Sequence, residues 1–268
     1  MVKRVKFEYG LKIAELIDRL YYEDEFSVGL VYGGFLGTGK SSYCIKALAE
    51  VLGTHPGFPD NKPNYEAVKG FLDFTPKFWV EKILKMRRRE KADILDDMGL
   101  WWFALDWYDP FVKAAVKYLN VARTDWGFVL GNTPSPRMVV SFVQHFPELL
   151  RFKIIKRDSN INDATKPRIA RAYQVWCTPD LKKTGVKKLF EDNYKAILPD
   201  DFYAWYRPLR DRYASMAKDL MLKQLDALER RDREQKIEEG FKEVIPEPER
   251  IKELKEVVAQ LSSGEPRF

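Results

Sequence analysis

The sequence predicts an α/β fold in which helices flank a mostly parallel sheet, followed by a C-terminal helical extension. Apolar, strand-like segments alternate with segments whose apolar residues recur at helical spacing, as in sheets built from β-α-β units. One strongly apolar strand segment, Phe26–Tyr32, is followed directly by a glycine-rich turn and a helical pattern. Both features favour parallel strands, because a parallel connection needs a long crossover, usually a helix.

Three regions are expected along the chain. Residues 1–25 form a helical lead-in, residues 26–198 the α/β core and residues 199–268 a helical region. The core includes a basic insertion at residues 151–188. The second boundary is placed where alternating strand and helix patterns give way to a long helical pattern.

Individual elements are predicted from local composition. Thr75-Pro76 and Asp109-Pro110 mark helix starts, since Thr and Asp cap helix N-termini and proline fits the first turn. Strands are expected at Phe26–Tyr32, Tyr65–Asp73, Ala92–Asp96, Trp126–Gly131, Arg151–Lys156 and Arg171–Cys177. Helices are expected at Lys12–Tyr22, Ser42–Leu52, Thr75–Glu90, Asp109–Arg123, Ser135–Leu150, Pro199–Arg233 and Glu249–Leu261.

Residues 34–41 match the phosphate-binding pattern G-x-x-x-x-G-K-[S/T], between a predicted strand and a predicted helix. The glycines let backbone N–H groups turn toward phosphates, and the helix N-terminus adds its positive dipole end. We expect Lys40 to reach the β- and γ-phosphates and Ser41 to bind Mg²⁺. The expected nucleotide-binding residues are Gly34, Phe35, Leu36, Gly37, Thr38, Gly39, Lys40, Ser41 and Ser42.

Acidic and polar residues lie at the ends of the third and fourth expected strands of the core. Asp96 and Asp97 end the strand that begins at Ala92, where carboxylates can hold Mg²⁺ and orient an attacking water. We expect Asp96 to help hold the metal and Asp97 to act on the water. The following strand leads into Asn132 and Thr133, and a polar side chain there can reach the γ-phosphate. Asn132 is the first candidate and Thr133 the second.

The segments GFLGTGKS, ILDDMG and FVLGNTPS together resemble the additional-strand (ASCE) division of P-loop ATPases, which includes the AAA+ proteins. The resemblance covers about residues 26–157, roughly half the chain. It implies a sheet with strand order 5-1-4-3-2, ATP and Mg²⁺ as cofactors, and assembly into homo-oligomers. The acidic pair followed by Met98 and Gly99 is similar to helicase loaders and replication initiators of the DnaA/DnaC type.

The resemblance also suggests roles for arginines. In AAA+ proteins an arginine at the junction before a late strand reaches a neighbouring subunit's γ-phosphate, and Arg151 is similar in position. A second sensor from the C-terminal helical part is assigned to Arg207 or Arg210 without a choice between them. Residues 158–192 depart from the AAA+ pattern, because basic loops and a strand stand where that family has a helical lid. Genome-packaging and virion-export ATPases, which share the core, therefore remain alternatives.

Positive charge is concentrated in one stretch of the chain. The formal net charge is +6, and Arg151–Lys188 holds eleven basic residues against three acidic ones. Such a stretch is typical of a polyanion-binding surface or of a solvated basic face. We expect nucleic acid as the partner, DNA rather than RNA. Arg87–Arg89 and the aromatic loop Gly99–Asp109 are further candidate contacts; the alternatives are a solvated helix end and a packed core or subunit contact.

Composition excludes several other classes of protein. No apolar run approaches the ~20 residues needed to span a bilayer, and the N-terminal segment lacks a secretory pattern. Two cysteines, Cys44 and Cys177, cannot form a disulfide framework, and no Cys/His cluster has zinc spacing. We therefore expect a cytoplasmic protein without membrane insertion.

These observations favour a Mg²⁺-dependent ATP hydrolase that works on nucleic acid in replication, translocation or packaging. Its expected catalytic residues are Lys40, Asp97, Asn132 and Arg151, and its expected metal ligands are Ser41 and Asp96. Two alternatives stay open. One is a P-loop kinase that transfers the γ-phosphate to a small acceptor, which the acidic pair disfavours. The other is an ATP-gated interaction switch with little turnover.

Overall fold

A computed structural model describes residues 9–33, 37–53, 62–146, 149–156, 163–177 and 184–244. The chain divides into two compact units, one ending at Arg210 and the other beginning at Asp211. The sheet belongs to the first unit. In the second unit the described residues continue the last helix as far as Val244.

Seven strands and eight α-helices are formed by the described residues. The strands are β1 Ser27–Tyr32, β2 Leu72–Asp73, β3 Glu90–Leu95, β4 Trp126–Thr133, β5 Leu149–Lys156, β6 Pro167–Cys177 and β7 Thr184–Lys195. The helices are α1 Lys12–Tyr22, α2 Lys40–Gly53, α3 Tyr65–Val68, α4 Pro76–Lys85, α5 Met98–Trp101, α6 Pro110–Leu119, α7 Ser141–Gln144 and α8 Asp200–Val244.

The strands form one sheet in the order β2-β3-β4-β1-β5-β6-β7. Strands β1 to β5 are parallel to one another, and β6 and β7 continue the sheet in antiparallel fashion. The predicted α/β class with a mostly parallel sheet is confirmed, and the five parallel strands have the order 5-1-4-3-2. The sheet differs from the prediction in its two added antiparallel strands beside β5.

Helices cover the parallel part of the sheet on both faces. Helices α1 and α2 pack against β3 and β4, and Ile17 and Leu48 are fully buried there. On the other face, Val129 of β4 belongs to a core cluster with Trp79 of α4 and Val112 of α6. Because the flanking helices shield β4, that strand is buried along its whole length. Its C-terminal end is thereby held in a fixed position at the carboxyl edge of the sheet.

The structure corrects the element predicted over Tyr65–Asp73. This segment contains the short helix α3, a 3₁₀ turn at Lys69–Phe71 and the two-residue strand β2, rather than one strand. The Asn64 side chain accepts a hydrogen bond from the Ala67 N–H at 2.9 Å. This cap satisfies a donor that a helix start leaves free, and it favours the helix over a strand.

The helix predicted over Ser135–Leu150 is also wrong. Pro136–Met138 is a 3₁₀ turn, α7 spans only four residues, and β5 begins at Leu149. The N–H of Val140 donates to the carbonyl of Trp102 at 3.0 Å, so the backbone bonds to another segment there instead of continuing a helix.

Other boundaries differ by a few residues. Helix α4 ends at Lys85 rather than at Glu90, which is the first residue of β3. Helix α6 ends at Leu119 rather than at Arg123. Helix α8 continues past the predicted end at Arg233. The expected last helix, Glu249–Leu261, lies outside the described residues. None of the helices in the described part of the chain is both long and apolar enough to cross a membrane.

Most of the stretch expected as basic loops forms β-structure. The strand predicted at Arg171–Cys177 is longer, because β6 begins at Pro167, and β7 was not predicted. More than half of the residues in the β7 sequence, TGVKKLFEDNYK, are charged or polar, and its apolar residues do not alternate regularly. Pairing with β6 over its whole length, with one irregularity at Ala172/Tyr173, forms this strand instead.

Candidate nucleotide-binding site

The described part of the turn between β1 and α2 contains two glycines in the left-handed region. Gly37 and Gly39 have φ angles of 73° and 92°, which side chains with a Cβ rarely adopt. The pocket at this turn is lined by residues 37–42 of the expected set. Gly34, Phe35 and Leu36 lie outside the described residues.

Lys40 begins α2 and its side chain is buried in this pocket. The ammonium donates to Thr38 Oγ1 at 3.4 Å. Burial lowers the pKa of Lys40, an effect that the charge of Asp97 opposes and that of Arg210 reinforces. An anion bound beside this ammonium group would offset its loss of solvation. The role of Lys40 toward phosphate stays a prediction.

The two acidic residues after β3 occupy different environments. Asp96 is buried, and its N–H donates to the carbonyl of Asp73 in the neighbouring strand at 2.8 Å. Asp97 is exposed at the pocket and has a φ of 52°, in the left-handed region. Partial shielding from water, and then the charge of Asp96, raise the pKa of Asp97, while Arg210 and Lys40 oppose the shift. A carboxylate with a raised pKa is a better proton acceptor.

The side-chain amide of Asn132, near the end of β4, connects the loop with both acids. Its Nδ2 donates to Asp96 Oδ1 and, at 3.4 Å, to Ser41 Oγ. Its Oδ1 accepts the N–H of Asp97 at 3.0 Å. Four predicted residues therefore meet at the carboxyl edge of the sheet. The hydroxyl of Thr133, the second candidate, instead donates to the carbonyl of Ser135 at 3.1 Å and supports the turn after β4.

Two further residues come from α8. The hydroxyl of Tyr206 donates to Asp96 Oδ2 at 2.7 Å and also contacts Ser41. Burial, followed by the charge of Asp96, raises the pKa of this hydroxyl, so it is a neutral donor. Arg210, one helical turn further on, lines the pocket and lies near both acidic residues. The sequence left Arg207 and Arg210 as equal candidates, and Arg210 is the one that lines this pocket.

The antiparallel strands hold the backbone of the loop. Arg168 of β6 is buried, and its Nε donates to the carbonyl of Thr38 at 3.2 Å. The same guanidinium donates to the carbonyls of Asp163 at 2.7 Å and Lys166 at 3.1 Å. The hydroxyl of Tyr194 in β7 donates to the carbonyl of Gly39 at 3.0 Å. Two carbonyl groups of the loop are thus fixed from β6 and β7.

Asp192 of β7 connects the same strand to two helices. Its carboxylate accepts the N–H groups of Lys12 and Ile13 at 2.8 and 3.2 Å, at the start of α1. It also accepts the hydroxyl of Tyr43 in α2 at 2.7 Å. A carboxylate at a helix N-terminus satisfies free N–H groups and is favoured by the helix dipole. Strand β7 is thereby tied to the helix that carries Lys40 and Ser41.

The groups at this pocket fit a nucleotide with Mg²⁺. A hydroxyl from Ser41 and a carboxylate from Asp96 are oxygen ligands of the kind that Mg²⁺ prefers. Among the described residues, no group of three or more His, Cys, Asp or Glu side chains could hold a metal by itself. A Mg²⁺ held by one or two protein groups together with phosphate oxygens needs no such cluster.

Several other candidates lie away from the pocket. Arg151 is in β5, and its Nη2 donates to the carbonyl of Gln144 at 3.0 Å; a role across a subunit boundary stays a prediction. In the aromatic loop Trp102 is buried in the core, whereas Trp107 and Tyr108 are exposed. Arg89 bonds to the carbonyl of Tyr21 and so supports the end of α1. Cys44 is buried in α2.

Comparison with known proteins gives one distant likeness to report. No protein-family model matches the chain, and no curated protein matches it. Among solved structures, the chain is similar to the N-terminal domain of zonular occludens toxin from Neisseria meningitidis. The identity is 15%, the TM-score is 0.39, and the match covers 66% of this chain and 97% of that domain. A likeness this distant carries no argument about what the chain does.

Proposed function

We propose that the protein is a Mg²⁺-dependent ATP hydrolase of the additional-strand division that couples hydrolysis to work on nucleic acid. The observation that carries the hydrolase assignment is the arrangement around Asn132. One amide bonds to Asp96, to the backbone of Asp97 and to Ser41, and so connects the phosphate-binding loop to the acidic pair. A parallel sheet with the 5-1-4-3-2 order of its first five strands supports the division.

Each side chain has a defined task in this proposal. Ser41 and Asp96 would hold Mg²⁺, which when bound neutralises phosphate charge and polarises the γ-phosphate. Lys40 would bind the β- and γ-phosphates. Asp97 would orient the attacking water and accept its proton, helped by its raised pKa. Arg210 would stabilise negative charge that develops during the reaction. Most of the rate enhancement would then come from positioning and electrostatics.

The nucleic-acid part of the proposal rests on charge. Strands β5 to β7 carry much of the positive charge of the first unit, and the same strands contact the phosphate-binding loop. A polyanion bound to the exposed face of these strands would be separated from the nucleotide only by the thickness of the sheet. A homo-oligomer would place several such surfaces side by side, and Arg151 is our candidate for a contact between copies.

Steady-state ATP hydrolysis tests this function. The rate is measured with and without single-stranded DNA, duplex DNA and RNA, for the wild type and for Lys40→Ala. Lys46→Ala is the matched control, because Lys46 lies on the same helix outside the pocket lining. We expect hydrolysis that one polymer stimulates, that Lys40→Ala abolishes and that Lys46→Ala leaves within about twofold.

Two results would overturn the proposal in favour of the alternatives. ADP release that requires a small acceptor and ignores every polymer would identify a kinase. Tight ATP binding with negligible turnover under all conditions would identify a nucleotide-gated switch.

A further inference from the structure

Strands β5, β6 and β7 present one face on which cross-strand neighbours form two rows of basic and aromatic side chains. The first row is Tyr32, Lys153, Arg171 and Glu191 on β1, β5, β6 and β7. The second row is Leu30, Arg151, Tyr173 and Lys188 on the same strands. Adjacent strands lie about 4.8 Å apart, so each row places its side chains within contact distance of their neighbours.

Most side chains of this face reach solvent. Lys153 and Lys188 are exposed, and Tyr32, Arg171 and Tyr173 are partly exposed. The face therefore differs from the same side of β1 and β4, which α4 to α7 cover. This part of the sheet, the open face, combines charged and aromatic side chains that reach solvent, and a ligand can lie flat on it.

The charge of this face is strongly positive. Four cations, Arg151, Lys153, Arg171 and Lys188, stand against one anion, Glu191. Glu191 pairs with Arg171 at 2.7 Å and with Lys188 at 2.6 Å. One carboxylate cannot neutralise this set, and the surplus charge is complementary to a polyanion.

The aromatic side chains stand beside the cations. Arg151 and Tyr173 are direct cross-strand neighbours, and Arg151 lies near enough to Tyr32 to oppose the rise that burial causes in the pKa of its hydroxyl. Exposed rings next to basic groups are the arrangement by which proteins bind single strands, since bases stack on the rings and phosphates contact the cations. A duplex keeps the faces of its bases stacked and offers no such contact.

The opposite face of the same strands contacts the nucleotide pocket. Side chains alternate along a strand, so Arg171 and Tyr173 lie on one face of β6 and Arg168 on the other. Likewise Glu191 lies on the open face of β7, whereas Asp192 and Tyr194 bond to α2 and the phosphate-binding loop. A ligand on the open face therefore acts on strands that directly hold the loop.

We propose that the open face of β5 to β7 is a binding site for single-stranded nucleic acid, coupled through β6 and β7 to the phosphate-binding loop. The coupling rests on the proposed function; the binding of the polymer does not. Two tyrosine rings are the stacking groups, and Lys153 is the principal phosphate contact, whereas the guanidinium of Arg151 bonds to the carbonyl of Gln144 and adds to the positive charge. Arg171 and Lys188 share Glu191 and contribute less.

Binding of fluorescein-labelled oligo(dT) tests the site, measured by anisotropy with the full chain and no nucleotide. The variant is Lys153→Ala with Tyr173→Ala. The matched control is Lys117→Ala with Tyr22→Ala, which removes one exposed lysine and one partly exposed tyrosine elsewhere in the same unit. We expect affinity to fall about tenfold or more in the variant and to change less than about twofold in the control.

A single charge reversal tests the same site if the double variant misfolds. Lys153 is exposed, so Lys153→Glu is tolerated by the fold, and we expect it to weaken binding and to reduce the dependence on salt. Oligo(dT) with photoactivatable 5-iodouracil should crosslink to Tyr32 or Tyr173. The proposed site would be refuted if the variant and the control lost equal affinity for oligo(dT), or if crosslinks formed only at residues outside the open face. Duplex DNA that binds more tightly than either oligo(dT) or oligo(U) would overturn the single-strand assignment.

Failure of this site can be distinguished from failure of the proposed function. If ATP hydrolysis depends on Lys40 but no single strand binds the open face, the surface is refuted and the hydrolase stands. If oligo(dT) binds the face but no ATP is hydrolysed, the binding site stands and the coupling is refuted.

Discussion

The parallel strands β3 and β4 and the antiparallel strands β6 and β7 contribute to one pocket in different ways. The parallel strands end in groups that can contact metal, phosphate or water, such as Asp96 and Asn132. The antiparallel strands contribute Arg168 and Tyr194, which bond to carbonyl groups of the phosphate-binding loop. The first set supplies chemistry and the second supplies position. Substitutions in the two sets should therefore differ in what they change.

The largest expected effect on turnover is at Asn132. Asn132→Ala removes the bonds to Asp96, Ser41 and the Asp97 backbone, so the acidic pair loses its orientation toward the loop. We expect kcat for ATP hydrolysis to fall about 100-fold or more, in the range found when a positioned hydrogen-bond donor is removed from an active site. Asn120→Ala, at an exposed helix end, is the control. A loss of less than about threefold in Asn132→Ala would exclude Asn132 from the reaction.

Substitution of Arg168 should reduce stability and nucleotide affinity more than kcat, whereas substitution of Asn132 mainly reduces kcat. Arg168→Ala leaves the buried carbonyl of Thr38 without its donor, together with the less buried carbonyls of Asp163 and Lys166. We expect about 2–4 kcal/mol of lost unfolding free energy, measured by denaturant titration, and weaker binding of a fluorescent ATP analogue. Arg137→Ala, at an exposed site, should change stability by less than about 0.5 kcal/mol. Unchanged stability in Arg168→Ala would refute its role in holding the loop.

The difference between the two regions also explains what the sequence could predict. Gly37, Lys40 and Asp96 belong to short contiguous patterns whose residue types have local physical reasons, and the structure brings them together. Arg168 and Tyr194 bond to a loop that lies 130 and 155 residues earlier in the sequence, and no local pattern marks such a contact.

Helix α8 and the wrongly predicted elements show the same limit. Tyr206 and Arg210 share one face of α8 by their spacing of four residues, and this spacing could have chosen Arg210 over Arg207. The segment Tyr65–Asp73 has strand-like composition, but one side-chain cap and the pairing of only two residues with β3 determine its structure. Tertiary contacts outweigh local preference in such short elements.

A smaller effect is expected at Tyr194. Tyr194→Phe keeps the ring, which packs at 5.1 Å from Tyr43, and removes only the hydrogen bond to the carbonyl of Gly39. We expect a loss of about 0.5–1.5 kcal/mol of unfolding free energy and a weakening of ATP binding of up to about tenfold. Tyr118→Phe, which removes a hydrogen bond to Asp125 away from the pocket lining, is the matched control. If both variants behave alike, the hydroxyl of Tyr194 does not position the loop.

The smallest expected effect is at Tyr206, where we expect substitution to strengthen ATP binding rather than weaken it. This variant tests whether α8 contributes to the chemistry, as β3 and β4 do, or to positioning, as β6 and β7 do. Its hydroxyl donates to Asp96 Oδ2 while Asn132 donates to Oδ1, so both carboxylate oxygens already have a donor. A cation that uses Asp96 as a ligand would share an oxygen with one of these donors, whose positive end it repels, and the hydroxyl also contacts Ser41, the second expected ligand. Tyr206→Phe should therefore tighten Mg²⁺-dependent ATP binding by about threefold, comparable to one net hydrogen bond at the low end of its range.

Titration of a fluorescent ATP analogue at several Mg²⁺ concentrations separates this effect from nonspecific changes. Tyr206→Phe should bind the analogue like the wild type when Mg²⁺ is chelated and more tightly when it is present. Tyr203→Phe, which also lines the pocket, should show no Mg²⁺-dependent difference. If Tyr206→Phe instead weakens Mg²⁺-dependent binding, the hydroxyl orients Asp96 as a ligand rather than competing with the cation. Helix α8 would then act as Arg168 and Tyr194 do, by holding a group of the pocket in place.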